Sequence, residues 1–377
     1  MTKVLLSTGG TGGHIFPVLS LYLKLKEINE IEDVKIITDP RVKKFINIPD
    51  IESESDWKII KSDSPFRKKG IIHLVKTFSC IFFSTLKCLY FIISFKPKTI
   101  IGSGGYASVP VLLASLILRK SFILYETNAV LGRVNRLFLP FSKKLLSGYK
   151  DVKNFPKKYE IKFFHVGQLV RDEFFEASRN KIKSKNNDLD TNKPLKILIL
   201  GGSQGAKVFG EKLPKCFKYL NQNKIKLSIK QQVQKEQLDN INEFYKNNTR
   251  FDVSLFEFKK NIQDDITECD IVICRSGSST LAELSILNKP FIAIPLPSSL
   301  DNHQYFNAKH YYDNNCCWLL EENSEDFEEK MINILMNIYN SDALLSSKVK
   351  NLIELNKKNA IDNFLTHILH NNGLTNK

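Results

Sequence analysis

The stretch Cys274-Arg275-Ser276-Gly277-Ser278-Ser279-Thr280-Leu281-Ala282-Glu283 combines residue types that can hold an anion and a diol together. Small side chains at a helix start leave the first backbone N–H groups open, and the helix dipole favours a negative charge there by roughly 0.3–1 kcal/mol. Glu283 falls one turn further on, where a carboxylate can accept hydrogen bonds from two neighbouring hydroxyls, such as the cis-diol of a ribose. A phosphate cradle beside a ribose acceptor is a nucleotide site. Taken alone, the same residues also fit a plain helix cap, with Ser278, Ser279 and Thr280 closing the first turn and Glu283 completing it.

The elements around this stretch repeat one plan. Asp270 to Ile273 is an apolar strand leading into the turn, and Thr280 to Leu287 has the apolar spacing of a helix. At the start of the chain, Val4 to Ser7 reads as a strand running into Thr8-Gly9-Gly10-Thr11-Gly12-Gly13-His14, with a helix expected from Pro17 to about Glu27. Gly102-Ser103-Gly104-Gly105-Tyr106 follows another short strand, and Ser121 to Tyr125 ends in Glu126-Thr127-Asn128. Three strand ends thus carry His14, Tyr106, and Glu126 with Asn128 towards one sheet edge, where doubly wound folds bind ligands. After a polar tract at 178–193, Leu195 to Leu200 and Gly201-Gly202-Ser203-Gln204-Gly205-Ala206 open a second unit in the same way. The expected fold class is therefore α/β, two doubly wound Rossmann-like domains facing across a cleft. Asp301 is the expected cap of a late helix that carries His303 and Gln304 in its first turn.

Composition narrows the classes. The 377 residues carry a net charge of +15, and residues 1–171 hold 28 Lys and Arg against 13 Asp and Glu, while residues 172–377 hold 27 against 27. No carboxylate occurs between Asp63 and Glu126, where Arg67, Lys68, Lys69, Lys76, Lys87, Lys96, Lys98, Arg119 and Lys120 lie. The first half is therefore expected to meet something anionic. Ile71 to Phe95 is apolar for long enough to cross a bilayer, but His73, Lys76 and Lys87 interrupt it. A long helix with one face in the core and the other greasy and basic is expected, giving peripheral attachment to an anionic membrane surface rather than nucleic-acid binding. The N-terminus lacks the pattern of a secretory signal, so a cytosolic chain is expected. The seven cysteines show no C-x-x-C spacing, and neither a disulfide framework nor zinc is indicated.

The order and spacing of Thr8-Gly9-Gly10-Thr11-Gly12-Gly13-His14-Ile15-Phe16-Pro17, Gly104-Gly105-Tyr106, Glu126-x-Asn128, Gly201-Gly202-Ser203-Gln204-Gly205-Ala206, Arg275-Ser276-Gly277, Thr280-x-x-Glu283 and Gln304-Tyr305-x-Asn307-Ala308 resemble the MurG family over nearly the whole chain. Those enzymes are N-acetylglucosaminyltransferases of the GT-B fold that complete the lipid-linked precursor of peptidoglycan. The resemblance implies an inverting transfer of N-acetylglucosamine from UDP-N-acetylglucosamine to an undecaprenyl-pyrophosphoryl-muramyl-peptide, at the cytoplasmic face of the inner membrane and without a cofactor. It implies a donor site of Glu283 on the ribose, Ser203, Ser278, Ser279 and Thr280 near the diphosphate, Gln304 on the sugar, and Arg171. The acceptor would lie against His14, Gly104, Gly105, Tyr106 and Asn128. Thr11, Gly12, Gly13 and Asn128 are expected where donor and acceptor meet. His14 and Glu126 compete for the role of general base.

The implied domains are 1–171, which faces acceptor and membrane, and 172–349, which binds the donor, with a C-terminal helix at about 350–370 packing back on the first. Asp188-Leu189-Asp190, the one metal-holding D-x-D candidate, lies in the polar tract and is expected to be solvated, so the leaving group should be met by the helix start and backbone N–H groups, and activity should survive EDTA. The chain departs from the family pattern at three places. Gly-Asn-Pro-Val-Arg reads Gly167-Gln168-Leu169-Val170-Arg171, His-Glu-x-Asn reads Tyr125-Glu126-Thr127-Asn128, and the acidic pair after Phe258 reads Lys260-Asn261. Rival functions are another GT-B enzyme acting on a membrane lipid, a non-catalytic membrane-surface module, and a Rossmann-type oxidoreductase resting on Asp39 as a ribose acid after the strand Val34 to Thr38.

Overall fold

The computed structural model describes residues 2–9, 11–44, 54–62, 70–183, 193–202, 207–259, 261–356 and 360–369. Arg67, Lys68, Lys69, Asp188, Asp190, Ser203 and Lys260 lie outside them. The chain forms two compact units, one of residues 1–171 with 359–377 and one of residues 172–358.

The first unit is a seven-stranded, all-parallel sheet of β1 (Thr2–Ser7), β2 (Ile31–Thr38), β3 (Trp57–Ile59), β4 (Thr99–Gly102), β5 (Ile123–Glu126), β6 (Lys144–Ser147) and β7 (Phe163–His165), in the order β3-β2-β1-β4-β5-β6-β7. Helices cover both faces, so the central strands are buried throughout and read as continuous apolar runs rather than alternating ones. On one face α1 (Gly12–Lys26) sets Ile15, Val18, Leu21, Tyr22 and Leu25 against β1 and β2. On the other, α2 (Ile71–Phe95) and α3 (Ser108–Ile117) pack over Leu5, Ile100 and Leu124. The short α4 (Arg133–Phe138) follows β5.

The second unit holds α5 (Asp172–Lys183), then β8 (Leu195–Leu200), α6 (Lys207–Gln222), β9 (Leu227–Gln232), α7 (Leu238–Asn248), β10 (Asp252–Phe256), α8 (Ile262–Glu268), β11 (Ile271–Arg275), α9 (Ser278–Ile286), β12 (Phe291–Ile294), α10 (His303–Asp313) and β13 (Cys317–Leu319), closing with α11 (Phe327–Asn340) and α12 (Asp342–Leu355). Its six strands are again all parallel, in the order β10-β9-β8-β11-β12-β13. The direction of winding reverses between β1 and β4 in the first unit and between β8 and β11 in the second. Those are the two places where helices on opposite faces leave a crevice at the strand ends.

The last helix, α13 (Ala360–Leu369), belongs to the first unit, where Ile361, Phe364 and Ile368 enter the core and Phe364 meets Tyr125 edge-on with ring centroids 5.0 Å apart. Gly167, at φ +92°, makes room for it, since a Cβ there would stand 2.9 Å from the Cβ of Ala360. α12 stays with the second unit, tied through Asn356 to Ser285 of α9.

Two local details differ from the sequence-based expectations. α1 begins at Gly12, not Pro17, and encloses the proline. Pro17 has no N–H to donate to the carbonyl of Gly13, one turn back, so the ring sits there at the loss of one hydrogen bond. Asp301 is not the cap of α10. That place is taken by Asn302, and both residues are left-handed, at φ +53° and +55°, a conformation that Asp and Asn tolerate better than other side-chain-bearing residues.

Candidate active site

In the first unit the β1–α1 turn and the β4–α3 turn are packed backbone to backbone. Gly105 has φ +71°, and a Cβ there would lie 3.1 Å from Cα of Gly9. Gly104 has φ +79° and faces the Asn135 amide, which a Cβ would approach to 3.3 Å. Both glycines are thus required by the turn itself, whatever they do for a ligand. The close approach brings His14, in the first turn of α1, within 3.0 Å of the Ser103 carbonyl through Nδ1. A carbonyl only accepts, so Nδ1 carries the proton and a neutral ring keeps its lone pair on Nε2. Thr8 Oγ1 donates to the His14 carbonyl at 2.9 Å and holds the backbone from below. His14 therefore stands at the β1/β4 reversal in the tautomer that can take a proton.

The N-cap of α1, Thr11, makes no side-chain capping bond, so nothing from that residue covers the N–H groups of Gly12 and Gly13. Gly13 has open space where a Cβ would be, unlike Gly9 and Gly105. Arg171, where the chain leaves the first unit, lays its guanidinium over the Phe16 ring at 4.5 Å, beside the same helix start. Tyr106 is half-buried against the α2–α3 core.

Glu126 is placed differently from what its candidacy as a base requires. Its side chain is 1% exposed. Oε1 accepts the Asn128 N–H at 3.0 Å, and Oε2 accepts the Gly132 N–H and the Asn135 amide, each at 2.8 Å. Burial pushes the carboxyl above the ordinary carboxylate range, with the N–H donors of Gly132, Asn128 and Asn135 pulling the other way. Both oxygens are used in bracing the loop from β5 to α4, and that loop presents Asn128. In this arrangement Glu126 braces the loop from β5 to α4.

The departures from the family pattern at Tyr125 and Leu169 meet in space. The Leu169 N–H donates to the Tyr125 hydroxyl at 3.1 Å, and that hydroxyl donates to the Gly167 carbonyl at 3.4 Å. A proline at 169 would have no N–H to offer. Gln168 adds a bond from Nε2 to the Thr127 carbonyl at 3.0 Å.

In the second unit α9 starts at the β8/β11 reversal. Its N-cap, Gly277, has no side chain to close the first turn, and Ser276 and Ser279 each keep a buried hydroxyl without a hydrogen-bond partner among the described residues. Two such hydroxyls beside a helix start without a side-chain cap leave donors that an acceptor-rich ligand can use. Ser278 is 2% exposed, Thr280 half-buried, and Glu283 lies one turn along at 9%. Gln304 accepts the Leu296 N–H at 2.9 Å through Oε1, which turns its NH2 group to other partners. Asn307, fully buried, donates to the Ser276 carbonyl at 3.2 Å and fixes the turn. Sequence spacing singled out Gln304 but not this supporting role of Asn307, one helical turn behind it. Among the described residues no cluster of three or more metal-ligating side chains occurs.

Asp39, the residue on which the oxidoreductase alternative rested, is engaged within its own loop. Its Oδ1 accepts the Arg41 N–H and Nε–H, both at 2.9 Å, and its Oδ2 the Arg41 NH2 group at 2.6 Å.

Two units of this topology, each with a helix that starts at its winding reversal without a side-chain cap among the described residues, define the class, and the matching family models agree. The glycosyltransferase family 28 N-terminal domain matches residues 4–147 and the family 28 C-terminal domain residues 196–364. A protein of Rickettsia bellii named UDP-N-acetylglucosamine–N-acetylmuramyl-(pentapeptide) pyrophosphoryl-undecaprenol N-acetylglucosamine transferase is 35% identical over 363 residues, 95% of this chain and 96% of its own. A protein of the same name from Pelagibacter ubique is 34% identical over 97% of this chain and 98% of its own. The chain belongs to their family, the MurG family. The crystal structure of Acinetobacter baumannii MurG superposes with a TM-score of 0.75 at 21% identity, covering 98% of this chain and all of that one, and shows the same GT-B fold.

Proposed function

We propose that the chain moves N-acetylglucosamine from UDP-N-acetylglucosamine to the 4-hydroxyl of a lipid-linked N-acetylmuramyl-peptide, the lipid I to lipid II step of peptidoglycan synthesis. The observation that carries the reading is the uncapped start of α9 with the orphaned hydroxyls of Ser276 and Ser279, in a chain whose relatives are named for this transfer. In this reading the donor diphosphate lies at Ser278, Ser279, Thr280 and Ser203, the ribose on Glu283, the sugar on Gln304, and Arg171 reaches the donor from the end of the first unit. The acceptor lies against Thr11, Gly12, Gly13, His14, Gly104, Gly105, Tyr106 and Asn128. Thr11, Gly12, Gly13 and Asn128 also come near the donor.

His14 Nε2 takes the proton of the acceptor 4-hydroxyl as that oxygen forms its bond to the anomeric carbon. The bond from this carbon to the UDP oxygen breaks on the opposite face, which inverts the configuration to a β-linkage. The electron pair leaves with UDP, whose charge is met by the N–H groups and dipole of α9 and by the serine hydroxyls. No residue here is asked to hold a metal. Membrane attachment, on the cytoplasmic side, runs through the exposed face of α2.

The test is transfer of labelled N-acetylglucosamine to lipid-linked muramyl-peptide with and without EDTA. Transfer that survives the chelator is expected. Transfer to diacylglycerol but not to the muramyl lipid would instead identify a related lipid glycosyltransferase.

A further inference from the structure

Arg275 is the last residue of β11, directly before the donor turn, and its side chain reaches the end of β12, Glu322 and the first turn of α6. Its guanidinium donates to two successive carbonyls at the end of β12, those of Ile294 at 3.3 Å and Pro295 at 3.1 Å. Its other terminal nitrogen is ion-paired with the Glu322 carboxylate, and the plane lies over the Phe209 ring of α6 at 4.8 Å. The two side chains are only 11% and 17% exposed, so the pair is largely withdrawn from solvent screening. Glu322 is held independently of that pair, because Lys212 donates to its backbone carbonyl at 2.7 Å.

The two loops that would grip the donor begin at the ends of these strands. Ser276 and Gly277 follow Arg275. Leu296, next to Pro295, supplies the N–H that orients Gln304. Asn307 ties the loops in the reverse direction, from α10 to the Ser276 carbonyl. The Arg275 fork therefore fixes how far the sugar-side loop stands from the phosphate-side turn. A planar five-donor group suits this work, since it can hold two carbonyls and a carboxylate at once, which an ammonium on a flexible stem does in no fixed geometry.

We infer that Arg275 and Glu322 form a positioning pair that sets the donor site's width without touching the donor. This rests on the assignment of the nucleotide to the second unit. The experiment is titration calorimetry of the full-length protein with UDP, alongside melting curves and Michaelis constants for both substrates. Wild-type protein is measured first, and no UDP binding there would sink the donor assignment itself. Given wild-type binding, Arg275→Met, which keeps the stem over Phe209 but loses the fork, is expected to raise the Kd of UDP roughly 10- to 100-fold with an unchanged acceptor KM. Arg275→Lys should recover part of the loss, and Glu322→Gln should weaken UDP by roughly 3- to 10-fold. UDP binding within about twofold of wild type in the folded variants, or equal damage to both substrates, overturns the inference. Should Arg275→Met fail to fold, Glu322→Gln decides by the same criterion.

Discussion

At the scale of single residues the proposed chemistry turns on which nitrogen of His14 carries the proton. The Ser103 carbonyl settles the tautomer, so replacing the ring while keeping a donor to that carbonyl separates support from proton transfer. His14→Asn can still donate to Ser103 but cannot act as a base at neutral pH. Both His14→Asn and His14→Ala are expected to lower kcat by about 10²- to 10⁴-fold, the usual worth of a general base, with UDP affinity unchanged by calorimetry. Near-normal turnover in either variant would remove His14 from the mechanism. The Tyr125 and Leu169 pair makes a different prediction. Tyr125→Phe leaves the buried Leu169 N–H without its acceptor and should cost about 1–3 kcal/mol of stability in urea unfolding. In a Leu169→Pro background that N–H no longer exists, and the same change should cost markedly less, the signature of direct coupling. The place of His14 beside a glycine-rich turn was legible from the sequence. The contact between Tyr125 and Leu169 was not, because 44 positions of chain separate them and only the course of the backbone brings them together. The bracing of Glu126 was not legible either, because its partners at 128, 132 and 135 become partners only once the loop into α4 has folded around it.

At the scale of elements, each unit places its chemistry where two helices on opposite faces begin beside adjacent strands. In the first unit that arrangement requires two glycine turns to touch. A methyl group at Gly105 would pay twice, roughly 1–2 kcal/mol for a left-handed non-glycine residue and roughly 1–3 kcal/mol for crowding Gly9. Gly105→Ala is therefore expected to lower the melting temperature and abolish transfer together. Gly13→Ala is the informative contrast, because its Cβ would meet nothing within 4 Å and alanine favours a helix. Lost activity at an unchanged melting temperature would mean that a substrate comes close to Gly13, and full activity would mean that none does. Strand, turn and helix were readable here from apolar runs and glycines. The start of α1 was not, since a proline suits a first turn by propensity, and tertiary packing of Ile15 and Val18 drew the helix back to Gly12 in spite of it.

At the scale of the whole molecule, the uneven charge and the inverted face of α2 point the same way. Its buried stripe is made of Thr77, Ser84, Thr85, Cys88, Ile92 and Phe95, while Ile71, Ile72, Val75, Phe78, Phe82, Phe83, Tyr90 and Ile93 are each more than half exposed. A helix of a water-facing surface would have these sets exchanged. α2 is long and apolar enough to cross a bilayer, but its buried stripe packs into the first unit, beside α3, which suits a helix lying on a membrane rather than through it. Lys76, Lys87, Arg119 and Lys120 are exposed on the same pair of helices and their connection to β5. Each is worth on the order of 1 kcal/mol near an anionic leaflet. The sequence showed the run and the charge, but the side of the helix that stays outside depended on where α3 and the sheet lie. Binding to vesicles containing phosphatidylglycerol is therefore expected in co-sedimentation, weakening as salt shortens the screening length. Phe82→Glu should lower partitioning by roughly tenfold or more, since it removes one large inserted side chain and adds a repelled charge. Tyr219→Glu, an equally drastic change at an exposed aromatic of the second unit, should leave it unaltered. If both variants partition like wild type, the membrane face lies elsewhere. If both lose binding alike, the attachment is a matter of net charge alone and α2 has no special part in it.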